Sequence, residues 1–141
     1  MRIAFVASAV PRRCGIATFT ADLIAAVKAA DPNVRVVQAA IDEPNAARAY
    51  GPEVKWRIRQ GDLASYRAVG RAIQASSADV VNVQHEFGLY GVHRDGTYED
   101  HAVPLLSEIP VETRRGGVLK GGYIAKKETA KPVYVAARSG R

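Results

Sequence analysis

The apolar positions of this chain follow two rhythms. Arg2 to Ala7 (RIAFVA) is a short, nearly continuous apolar run, the pattern of a strand buried on both faces of a parallel sheet. It ends at Pro11. A helical rhythm follows, with Ile16, Phe19, Leu23, Ile24 and Val27 on one face. Phe19, Leu23 and Val27 are expected to be buried against the sheet. The helix stops at Asp31-Pro32-Asn33, because proline cannot continue a helix and restricts the residue before it. Val34 to Ile41 (VRVVQAAI) predicts a second strand. Val54 to Ile58 (VKWRI) alternates apolar with basic residues, so it predicts a half-exposed strand near an edge. Asp62 predicts the cap of a second helix, which carries Leu63, Tyr66, Val69 and Ile73 on one side. Asp79 to Gln84 (DVVNVQ) predicts another strand, followed by a Gly- and His-rich loop from His85 to Gly96. Tyr98 to Leu106 predicts a third helix, with Pro104 in its first turn or at a kink. Strands separated by helices in this order predict a parallel α/β sheet with helices on both faces.

After Leu106 the rhythm breaks, and charge changes with it. Residues 1–106 carry twelve Lys or Arg against eleven Asp or Glu, whereas residues 107–141 carry eight against three. The formal charge of +6 therefore belongs mainly to the end of the chain, which argues against a nucleic-acid-binding fold. The division expected is a domain over residues 1–106 and a basic, irregular tail over 107–141, in which only Lys131 to Ala137 (KPVYVAA) has strand character. Cys14 is the one cysteine, so no intrachain disulfide forms, and a reducing, cytoplasmic compartment fits. No apolar run approaches the roughly 20 residues of a membrane span. Met1 to Ala9 imitates a signal peptide but reads better as a buried first strand.

Two segments carry candidate chemistry. Pro11 to Thr18 (PRRCGIAT) joins the first strand to the first helix. In parallel sheets ligands bind at the carboxyl ends of strands, and a helix start offers unpaired N–H groups to phosphate. This is neither GxGxxG nor a Walker loop, and an ordinary strand–helix turn is the competing reading. Gln84 to Gly88 (QHEFG) ends the DVVNVQ strand, where an imidazole and a carboxylate could meet sugar hydroxyls. Leu89 stands where HExxH needs its second histidine, which excludes that zinc motif; a capping histidine in a plain loop is the alternative. His85, His93 and His101 are spaced by eight, a spacing that matches no structural zinc pattern, so no metal and no cofactor is expected. Cys14 reads as a structural thiol.

Three blocks, RIAFVASAVPRRCGIATFTADL, IRQGDLASYRAVGRAI and DVVNVQHEFGLYG, resemble in order the amino-terminal domain of the retaining glycosyltransferases of family four. That resemblance covers about residues 1–106. It implies one Rossmann-like half of a GT-B fold, whose two domains enclose the active site. It implies transfer of a glycosyl group, with retention, from a nucleoside-diphosphate sugar to a carbohydrate or lipid-linked acceptor. The implied substrate-binding residues are Arg13, Gly15, Ile16, Ala17 and Thr18 on the diphosphate side, and Gln84, His85, Glu86, Phe87 and Gly88 on the acceptor side. In the family a strand ending in His-Thr follows the third helix. Here neither Ile109 to Thr113 nor KPVYVAA supplies it, and a missing donor domain is expected. A truncated or frameshifted reading frame, inactive alone or completed by a separate donor domain, is the expectation. The alternative is a non-catalytic nucleotide- or carbohydrate-binding remnant.

Overall fold

The computed structural model describes residues 1–86 and 88–109, together with the backbone of residues 122–125 and 133–137. Strand β1 (Arg2–Ala7) leads into helix α1 (Gly15–Ala30) and then strand β2 (Arg35–Asp42). Strand β3 (Val54–Arg59), helix α2 (Leu63–Ala75) and strand β4 (Val80–His85) follow. The four strands pair in parallel in the order β3-β2-β1-β4. This is the α/β fold that the two rhythms predict, with β1 inside the sheet and β3 at an edge. The β4 side is extended by strand β8 (Val133–Ala137), parallel to β4 within the KPVYVAA segment, and then by strand β7 (Gly122–Ala125), antiparallel to β8. The rest of the basic segment from Pro110 onward, including the Ile109–Thr113 comparison beyond Ile109, lies outside the described residues.

Alternation along β1 sorts the core into two layers. Ile3 and Phe5 pack with Val34, Leu23, Ile24 and Val27 on the α1 side. Ala4 and Val6 pack with Ile58, Tyr66, Val69 and Ile73 on the α2 side. Helices therefore cover both faces, as a parallel sheet requires. Asp62 caps α2 as expected, with its carboxylate accepting from the Ala64 and Ser65 N–H groups.

Two expectations are corrected. Phe19 is 46% exposed, while Leu23 and Val27 are half-buried. The buried stripe of α1 centres on Ile16, Ala17 and Thr20, and Phe19 lies about 100° round the helix from Thr20. The third helix, α3, spans only Ala102–Ser107. Before it, β5 (Gly91–Arg94) and β6 (Thr97–Asp100) form an antiparallel hairpin, in place of a loop and the start of a helix. Asp95 and Gly96 turn the hairpin with positive φ, the conformation a tight two-residue turn demands. Glycine at 91 is steric: a Cβ there would sit 1.8 Å from the Glu99 carbonyl oxygen.

Candidate functional site

The chain crosses from one side of the sheet to the other between β1 and β4. Helix α1 leads from β1 outward to β2, and α2 carries the chain from the β3 edge back past β1 to β4. In open α/β sheets the crevice beyond the carboxyl ends at such a switch point is the usual ligand position. The segments Pro11–Thr18 and Gln84–Gly88 flank it, because β1 and β4 are hydrogen-bonded neighbours.

The first segment starts α1 without a side-chain cap. Cys14 occupies the cap position in extended backbone, its side chain makes no capping bond, and the first turn holds no acidic residue. Its sulfur instead lies 3.1 Å from the buried Ser8 Oγ. Gly15 is exposed, and a Cβ added there would meet nothing within 4 Å. Arg13 and Thr18 are exposed, whereas the side chains of Ile16 and Ala17 belong to the core. Those two residues can meet a ligand only through their backbone. The positive end of α1 is thus open, in contrast to α2, whose end Asp62 fills.

On the second segment the side chains part company. Gln84 is buried and donates to the Asn82 Oδ1 at 2.6 Å, so it braces β4. His85 is half-buried, stacked on Tyr90 with ring centroids 5.2 Å apart, and its Nε2 stands 3.4 Å from Asp100 Oδ2. Glu86 is exposed. Gly88 has φ +87°, and its carbonyl accepts from Gln60 Nε2 at 2.6 Å. Phe87 lies outside the described residues.

Sequence reasoning passed over two residues that shape this edge. Tyr90 is fully buried, and its hydroxyl lies 2.9 Å from the Val6 carbonyl and 3.0 Å from the Gln84 carbonyl. One phenolic proton is shared between the ends of β1 and β4, and burial pushes the phenol well above its ordinary pKa. Arg12 donates to the Ile41 carbonyl at 2.8 Å and to Gln60 Oε1 at 3.2 Å, and pairs with Glu43 at 3.1 Å. With the Gln60 amide on Gly88, Arg12 belts together the carboxyl ends of all four parallel strands. Its position inside PRRCG was the only sequence signal, and nothing there separates the inward Arg12 from the outward Arg13.

The histidines do not converge. His93 lies against Tyr98 on the hairpin, and His101 is buried edge-on to Tyr66. Among the described residues, no group of three His, Cys, Asp or Glu could hold a metal ion, and no helix is long and apolar enough to cross a membrane. Set against family models, curated proteins and solved structures, the chain matches none of them.

Proposed function

We propose that this α/β domain serves a retaining glycosyltransferase as its acceptor-side half, meeting a nucleoside-diphosphate sugar across the carboxyl edge of the sheet. One observation carries the reading: the two segments that resemble the family's substrate loops leave adjacent parallel strands, β1 and β4, at the switch point. The chemistry on each side suits a different part of the substrates. The uncapped α1 end, with Gly15 bare and Arg13 exposed, suits an anionic diphosphate through backbone N–H groups and the helix dipole. Negative charge gathering on the departing diphosphate would be stabilised at the same place. His85, steadied by Tyr90 and Asp100, suits a sugar hydroxyl, with the exposed Glu86 beside it.

The test is an NMR titration of the chain with a panel of nucleoside-diphosphate sugars and simple glycosides. Weak binding is expected, on the order of millimolar, about 4 kcal/mol. Nucleotide sugars should shift Gly15 to Thr18, and glycosides should shift His85 to Gly88. Gly15→Ala should weaken the nucleotide sugar while leaving stability intact, since the added methyl meets only open space. Shifts confined to residues 110–141, with both loops silent, would overturn the reading. Glycosyl transfer by this chain alone is expected to be undetectable, because near-attack geometry needs a partner surface to hold the donor.

A further inference from the structure

A concavity opens at the carboxyl ends of β2 and β3 and the start of α2. It has a volume of about 730 Å³, within the range of small-molecule sites. Charged and polar side chains, Asp42, Glu43, Asn45, Arg57, Arg59 and Ser65 among them, share its lining with three alanines. An apolar ligand would desolvate these groups without replacing their hydrogen bonds.

The carboxylates are already neutralised. Arg48 lies 2.7 Å from Asp42 and 2.5 Å from Glu43, Arg12 also pairs with Glu43, and Arg59 lies 2.6 Å from Asp62. Burial pulls the Glu43 carboxyl upward, but its own backbone N–H and the two arginines hold it below the ordinary value. Arg57 has no carboxylate partner among the described residues. It sits 4.8 Å from the Tyr50 ring centroid and donates to the Arg48 carbonyl at 2.5 Å. Arg57 and Arg59 line the cavity beside three carboxylates, and Arg12 and Arg48 pair with two of those carboxylates from outside the lining. Counted with these partners, the surroundings hold four guanidiniums to three carboxylates, which disfavours a metal cation and leaves room for one anion. Asp42 adds a complementary need. It is 4% exposed, its Oδ1 takes both Arg48 and the Tyr50 hydroxyl, and its buried Oδ2 has no hydrogen-bond partner among the described residues. A buried acceptor left unpaired is costly; Asp42 lines the cavity, and a turn of its carboxylate toward a hydroxyl there would relieve it.

We propose that this cavity binds a small anionic polyol, a molecule joining one phosphate or carboxylate to several hydroxyls. Arg57 holds the anion with its planar fork, while Asp42, Asn45 and Ser65 take hydroxyls. The site uses the ends of β2 and β3, so it does not depend on the glycosyltransferase reading. NMR titrations with glucose 6-phosphate, glucuronate, glucose and inorganic phosphate test it. At least one of the first two should bind and shift Asn45, Arg57 and Ser65, and their ratio tells phosphate from carboxylate. Glucose and phosphate alone should each bind roughly tenfold more weakly, because each lacks half of the recognised chemistry. Arg57→Ala should cost at least about tenfold in affinity; if that variant fails to fold, Arg57→Lys, which keeps the charge but loses the fork, should still weaken binding. The proposal is overturned if glucose binds as well as its phosphate, or if neither anionic sugar shifts these residues at about 10 mM. It is also overturned if the folded Arg57 variants bind unchanged, or if affinity is lost with Arg13→Ala and the shifts fall at Gly15 to Thr18.

Discussion

Replacing Tyr90 by Phe probes the switch point with a single atom. The ring is fully buried and stacked on His85, and Phe keeps that volume and that contact. What disappears is the hydroxyl between the carbonyls of Val6 and Gln84. The paired register of β1 and β4 runs from Ile3 opposite Val80 to Val6 opposite Val83, so the hydroxyl bridges the strands where their ladder ends. Its loss leaves two carbonyl acceptors short of a donor in a dry place. One such vacancy costs about 1–3 kcal/mol, and sharing a single proton argues for the middle of that range, about 2 kcal/mol. For a chain of this length each kcal/mol moves the melting temperature by about 3–5 °C, so Tyr90→Phe should melt about 6–10 °C lower. Thermal unfolding followed by circular dichroism reads this directly, and a spectrum unchanged at low temperature confirms that the fold is kept. A loss under about 2 °C would mean that water already reaches both carbonyls. The base of the crevice would then be wet, and Tyr90 would not be what holds β1 and β4 together there.

Other expectations follow from the same geometry. Asp62→Ala should lower stability by about 1 kcal/mol, because the Ala64 and Ser65 N–H groups lose their acceptor; urea unfolding measures it, and an unchanged midpoint refutes the cap. Gly70→Ala should destabilise by about 1–3 kcal/mol despite the better helix propensity, since a Cβ there lies 2.6 Å from the Leu105 carbonyl oxygen and 2.8 Å from Glu108 Cβ; a rise in melting temperature would show that α3 moves aside freely. Acid should weaken the fold through Glu53, which Lys28 holds below its ordinary value, and through Asp62 and Glu108, held down respectively by backbone N–H groups with Arg59 and by Arg67. Depressed carboxylates contribute stability above their unfolded values, about pH 4, and lose it as pH falls through the folded values. A urea midpoint that stays level from pH 6 to about pH 3 would contradict that.

The layered sheet was legible because its cues are local. RIAFVA shows burial on both faces, VKWRI shows an edge, and Asp62 ahead of an apolar stripe shows a cap. The hairpin was missed although Asp95-Gly96 is a strong turn pair, because GVHR and TYED are polar and lack the alternation that marks strands. Phe19 was misplaced because spacing alone gives a helix face a width but not a centre; Thr20, polar yet buried, marks that centre. The two loops of the candidate site were visible as sequence, and strand order brought them together. The cavity beside Asp42 was not visible, because its residues come from a strand end, a loop, an edge strand and a helix start. Only the fold makes them neighbours.

The Arg12 belt has a consequence for descent. Arg12 reaches Glu43 and Gln60 on two separate segments, so losing Arg12 takes a partner from both. In any lineage carrying this domain, these three positions should be inherited as a set and exchanged as a set. Gly88 should stand apart from them. It joins through its carbonyl alone, and its identity answers to its own left-handed backbone rather than to its partner.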